Sequence, residues 1–148
     1  MSAPRTVPRA TSATVVVSST ASDSHTWNLV YLQLLIQELG HTVHNLGACV
    51  PPDLLVAECT RLTPDLVVIS SVNGHGWADG LRLAPRLRAV PGLSGTGLVI
   101  GGKLGTDGRR SVGWRQRMLT AGFDRVFDDG DIVAFIAFVA ERVGRVAS

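Results

Sequence analysis

The sequence predicts one α/β layer: five short parallel strands, doubly wound in the order 2-1-3-4-5, with helices on both faces. Three observations carry this. Short continuous runs of Val, Ile and Leu, the pattern of strands buried on both sides, alternate with longer stretches of helical length. Turn residues punctuate the junctions, drawn from sixteen Gly and seven Pro. The length, 148 residues with 45% hydrophobic and 18% charged, suits one packed core and is too short for two.

Residues 1–12 contain two Pro, two Arg and small polar residues, and read as a flexible leader before a domain at 13–148. Ala13-Thr14-Val15-Val16-Val17-Ser18 is the first strand. Trp27 to Leu39 is apolar at nearly every position and stops at Gly40, a good helix end. Thr42 to Leu46 is the second strand. Pro51-Pro52-Asp53 opens a helix that runs to about Leu62, and Thr63-Pro64-Asp65 closes it. Leu66-Val67-Val68-Ile69-Ser70 is the third strand. The loop Asn73-Gly74-His75-Gly76 precedes a helix from about Ala78 to Ala89. Leu98-Val99-Ile100-Gly101-Gly102 is the fourth strand, followed by a helix around Gly113–Ala121 and a short fifth strand near Asp124–Phe127. The last helix, about Asp131–Val143, sets Ile132, Phe135, Ile136, Val139 and Val143 at core-facing spacing.

Charge and composition exclude several functions. The net charge of +2 resides in Arg5 and Arg9, since the remaining twelve basic residues balance twelve acidic ones. No domain-wide phosphate-binding face follows, and 5% aromatics argue against a base-stacking platform. Cys49 and Cys59 match no zinc spacing and read as reduced thiols. Neither a secretory signal nor a membrane-length apolar run is present in the sequence, so a soluble, cytoplasmic protein is expected.

In a sheet wound this way, ligands sit beyond the C-terminal ends of strands one, three and four. The first of those loops carries Asp23 two residues before His25. Such an Asp can accept the proton of one imidazole nitrogen and leave the other free as a base or metal ligand. The same residues could equally be a helix cap with an incidental His. The second loop offers Ser70 and Ser71, which can donate to a polar ligand or serve as turn chemistry. The third begins at Gly101-Gly102, where another group can approach the backbone, or where the chain merely turns tightly. Its Gly102-Lys103 does not have the spacing of a nucleotide-binding P-loop.

Taken together, the three elements resemble the cobalamin-binding domain family, whose motif runs D-x-H-x-x-G, then S-x-L, then G-G. The matching residues are Asp23-Ser24-His25-Thr26-Trp27-Asn28, Ser70-Ser71-Val72 and Gly101-Gly102. Within that family the likeness is strongest to the small subunits of glutamate mutase (methylaspartate mutase). It is carried by Ser22-Asp23-Ser24-His25, Val43-His44-Asn45-Leu46-Gly47, Ser70-Ser71 and Gly122-Phe123-Asp124-Arg125-Val126-Phe127. Asn28 stands where the motif has Gly, and Val72 where it has Leu.

The resemblance implies a cofactor, adenosylcobalamin, bound with its dimethylbenzimidazole tail inserted in the domain and a His on cobalt. His25 would be that axial ligand and Asp23 would hold its other nitrogen. Ser70 would hydrogen-bond the tail, and Val72 would wall it. Gly101 and Gly102, with Lys103-Leu104-Gly105-Thr106, would let tail and corrin edge lie against backbone. Ser22, Ser24, Thr26 and Ser71 fall in the same cofactor loops, and Asn28 would meet the tail as an obstruction or as a hydrogen-bond partner. No catalytic residue is expected in this chain. A large catalytic mutase subunit of barrel type would supply the site for glutamate or a related amino acid. The alternatives are a cobalamin carrier or sensor, and an interaction module that has lost the cofactor.

The first helix, apolar nearly all round, needs cover from the sheet, the tail and neighbouring helices, or from a partner. His41 and His44 read as surface or strand-edge residues, and His75 as a solvated loop residue or one facing the ligand. Lys103 reads as an exposed loop residue or a cofactor contact. Asp128, Asp129 and Asp131 read as negative charge at a helix N-terminus, and Trp77 and Trp114 as seals on the core edge.

Overall fold

The computed structural model describes residues 8–9, 12–102, 111–128 and 131–146. In chain order the elements are β1 (Pro8–Arg9), β2 (Thr14–Ser19), α1 (Trp27–Glu38), β3 (Thr42–Asn45), α2 (Pro52–Leu62) and β4 (Leu66–Ser71). They continue with α3 (Gly76–Arg88), β5 (Gly97–Gly102), α4 (Ser111–Ala121), β6 (Arg125–Asp128), α5 (Ile132–Val143) and β7 (Arg145–Val146). The main sheet is parallel throughout, in the order β3-β2-β4-β5-β6. Counted from β2, that is the expected 2-1-3-4-5.

Strand periodicity divides the core in two. Val16, Val67, Ile69, Leu98 and Ile100 pack with residues of α2, α3 and α4, including Leu55, Cys59, Leu83, Leu87 and Met118. Their neighbours Val15, Val17, Leu66, Val68 and Val99 pack with Leu29 and Ile36 of α1 and with Phe135, Val139 and Val143 of α5. Both faces are covered, which is why the strands read as continuous apolar runs rather than alternating ones.

Helix ends follow local chemistry. Pro52 occupies the first turn of α2, and Thr63 closes the helix in the left-handed region at φ 42°. Asp131 caps α5 by accepting the Ala134 N–H at 3.1 Å, the role read for that acidic residue. Asp129 and the Asp128 side chain lie outside the described residues. Helix α3 starts at Gly76, two residues before the expected Ala78. The earlier start draws Trp77 inward, where it stacks on Trp114 with ring centroids 6.1 Å apart.

His41 differs from its reading as a surface or strand-edge residue, for it is buried. Its Nδ1 accepts the N–H of Ala13 at 3.0 Å, so Nε2 carries the proton and donates to the Gly144 carbonyl at 2.6 Å. One imidazole thereby ties the chain entering β2 to the end of α5. Immediately after Gly144, β7 pairs with β1 in a two-residue parallel ladder. Both cysteines are free, and burial, helped by the neighbouring Glu58 charge, pushes the Cys59 thiol up to about 12. Among the described residues no helix is long and apolar enough to cross a membrane.

Candidate functional site

The parallel register brings the ends of three strands side by side. Ser19 of β2 is paired with Ser70 of β4, and Ser70 with Gly101 of β5. The loops that follow β2 and β4 join above this edge, and their junction is the Asp23 carboxylate.

Asp23 is 1% exposed. Its Oδ1 accepts the backbone N–H of His25 at 2.9 Å and the Nδ1–H of the same residue at 2.7 Å. Its Oδ2 accepts the N–H of Val72 at 2.6 Å. Burial alone would raise the carboxyl's pKa, but the hydrogen bonds from His25 and Val72 outweigh it and hold it below its ordinary value. The helix-cap alternative fails here. Thr26 is the N-cap of α1 and makes no side-chain cap bond, while Asp23 spends both oxygens on His25 and Val72.

His25 presents the opposite character, with its side chain 58% exposed. Because Nδ1 carries the proton shared with Asp23, the lone pair of Nε2 faces outward. That is the form in which a neutral imidazole binds a metal, with a carboxylate behind it fixing the ring and strengthening the donor. Among the described residues no cluster of three His, Cys, Asp or Glu could hold a metal ion. His25 offers one outward-facing ring nitrogen.

Beside this edge, between α1 and α5, lies a cavity of about 360 Å³. Its volume is in the range of roughly 300–1,000 Å³ typical of small-molecule sites. Ser70, Gly101, Gly102 and Asn28 line it, as does apolar surface from Val68, Val99, Phe127 and Phe135. Its lining is mostly apolar, with Asn28, Ser70 and Asp131 as its polar side chains, the composition common in small-molecule sites. Asn28 sits on the wall three residues after His25, so the imidazole and the cavity share one short stretch of chain.

Gly102 has a structural reason of its own. It adopts φ +119°, and a Cβ there would lie 2.3 Å from the Ser71 carbonyl oxygen. At Gly101 a Cβ would meet Phe127 oxygen at 3.1 Å. The Gly pair thus lets β5 lie against its neighbours, in addition to leaving the cavity open. Ser71 is fully buried, with its hydroxyl directed to Asn73 Oδ1 at 3.3 Å, whereas Ser22, Ser24 and Thr26 are exposed on the first loop. Val72 contributes its N–H to Asp23. Lys103, Leu104, Gly105 and Thr106 lie outside the described residues.

Sequence reasoning missed the part played by Tyr31, Leu32, Phe127, Asp131, Ile132 and Phe135 as cavity walls. Periodicity marks several of them as core, but periodicity carries no information about whether facing side chains meet. Nor did the first helix find cover on more than one side. Leu29 and Ile36 are buried, while Trp27 is 82%, Tyr31 52% and Leu34 56% exposed.

Comparison with known proteins gives a consistent result. The B12 binding domain family matches residues 13–133. The glutamate mutase sigma subunit of Halobacterium salinarum is 36% identical over 118 residues, covering 80% of this chain and 78% of that protein. The sigma subunit of Carboxydothermus hydrogenoformans is 31% identical over 117 residues, covering 78% of this chain and 84% of that protein. In fold, a cobalamin-binding protein from Desulfitobacterium hafniense superposes with a TM-score of 0.68 at 19% identity, over 90% of this chain and 60% of that one. A chemotaxis response regulator of Vibrio cholerae superposes with a TM-score of 0.66 at 14% identity, over 90% of this chain and 99% of that one. The architecture is thus shared by a cobalamin-binding protein and a chemotaxis response regulator, so the fold alone does not define what the site binds.

Proposed function

The chain belongs to the B12-binding domain family, and from that premise we propose that it is the cobalamin-binding small subunit of an adenosylcobalamin-dependent carbon-skeleton mutase. The reaction is the interconversion of L-glutamate and (2S,3S)-3-methylaspartate, and the substrate site belongs to a large barrel-type subunit. The observation that carries this reading is the Asp23–His25 pair: a buried carboxylate that fixes Nδ1–H and an exposed Nε2 free to bind cobalt.

The chemistry the bound cofactor supplies is homolysis of its cobalt–carbon bond. The work of this chain is to bind and orient. His25 Nε2 would be the protein's ligand to cobalt. Asp23 keeps the Nδ1 proton and so keeps the ring in the ligating tautomer. The cavity between α1 and α5 would hold the cofactor's tail, with Ser70 as hydrogen-bond donor and Gly101 and Gly102 as open backbone. Asn28, standing where the family motif has glycine, lines that cavity and would meet the tail as an obstruction or as a hydrogen-bond partner. Ser24 and Thr26, exposed on the first loop, would border the corrin. Residues 1–12 lead into the domain at 13–148, with Pro8–Arg9 paired to β7, and the protein works in the cytoplasm.

Cob(II)alamin added to the purified protein tests this directly. Electron paramagnetic resonance should show one nitrogen on cobalt whose splitting changes when the protein's histidines carry nitrogen-15, and His25→Ala should lose that isotope response. Glutamate turnover should need this subunit, adenosylcobalamin and the large subunit together. Wild-type protein whose cobalt spectrum ignores the isotope label would overturn the assignment.

A further inference from the structure

The imidazole of His25 is mostly exposed, so packing does not fix where Nε2 points. Its position is set through Asp23 and the backbone beside it. Among the described residues, two links from the β4–α3 loop hold this first loop. One is the Val72 N–H on Asp23. The other is Asn73, whose Nδ2 donates to both the carbonyl and the hydroxyl of Ser22, each at 3.0 Å.

The hydrogen bonding of Asn73 is saturated. Its Oδ1 accepts the His75 N–H at 3.0 Å and the Ser71 hydroxyl at 3.3 Å, which fixes the amide's orientation and leaves both Nδ2 protons for Ser22. The Ser22 hydroxyl in turn donates to Asp79 Oδ2 at 2.6 Å, and Asp79 Oδ1 accepts from Arg82 at 2.6 Å. Donors and acceptors agree along the whole chain, from the β4–α3 loop to the surface of α3. Ser22 is the residue before Asp23, so this grip acts one peptide away from the carboxylate that aims the imidazole.

We propose that Asn73 is a positioning residue for His25: its amide clamps Ser22 and so sets the reach of Nε2 toward cobalt. The proposal rests on the cobalt-binding reading above. A metal–nitrogen bond needs its donor placed within about 0.5 Å, and supports behind a ligand typically change metal affinity by about 10- to 100-fold. Sequence spacing could not reveal this, because Asn73 and Ser22 are 51 residues apart.

Two variants separate the clamp from ordinary turn support. Asn73→Ala removes everything. Asn73→Asp keeps the acceptor for the His75 N–H and the Ser71 hydroxyl but cannot donate to Ser22. Cobalamin titrations followed by absorbance should show both variants binding about 10-fold more weakly than wild type. Electron paramagnetic resonance of the cob(II)alamin forms should show a reduced or broadened histidine-nitrogen splitting in both. Unchanged affinity and splitting in both variants would overturn the proposal, and so would a defect in Asn73→Ala that Asn73→Asp fully restores. A wild-type spectrum without the protein nitrogen would overturn the cobalt-binding reading itself, and the proposal with it.

Discussion

The two faces of the sheet share strands and register, yet they are finished differently at the C-terminal edge. Toward α2, α3 and α4 the space is filled. Trp77 stacks on Trp114, Met118 is fully buried, and a Cβ on Gly80 would come within 2.3 Å of Met118 Cε. Toward α1 and α5, Val68 and Val99 instead form the floor of the cavity of about 360 Å³. The difference is made by helix side chains, since the strands supply similar apolar rows to both sides. One face supplies stability, and the other gives up packing for a place to bind.

Truncation should expose that division most sharply. Met118→Ala removes a fully buried side chain from a closed layer and should cost about 2–5 kcal/mol in urea unfolding. Leu32→Ala removes a half-buried side chain whose outer surface already borders the cavity, and should cost about 1 kcal/mol. Equal losses would mean that the α1 face is as tightly packed as the other.

What the sequence could reveal follows from the same contrast. Strand order and the three loops were legible because continuous β-branched runs and chain-connection rules are local or topological facts. Asp23 and His25 were legible because they stand only two positions apart in the chain. The His41 bridge to Gly144 spans 103 residues and Asn73 to Ser22 spans 51, so no spacing rule reaches either. The cavity was illegible for another reason. Ile132 and Phe135 look like core residues from their period, and only three-dimensional packing decides whether the layer closes over them.

A second test addresses the polar junction at the open face. Asp23 has a native pKa below its ordinary value, so its carboxylate stabilises the fold above about pH 4, and this contribution is lost as pH falls through the depressed native value. Asp23→Asn should therefore lose about 1–3 kcal/mol at neutral pH, through weakened bonds to Val72 and His25. The gap from wild type should narrow below about pH 4. Urea unfolding across a pH series measures it, and a gap independent of pH would show that the charge on Asp23 is not what joins the two loops.

The smallest effect is expected on the outer side of α1. Trp27, Val30, Tyr31 and Leu34 fall at helical spacing along one exposed stripe, while Leu29 and Ile36 carry the helix's buried contacts. Leu34 is 56% exposed, so Leu34→Gln gives up little burial and keeps a good helix former. Its unfolding free energy should stay within about 0.5 kcal/mol of wild type. Leu29→Ala, one face away on the same helix, should cost about 2–5 kcal/mol. A large loss from Leu34→Gln would show that the stripe packs against something in the folded chain, and the open character assigned to the α1 face would then be wrong.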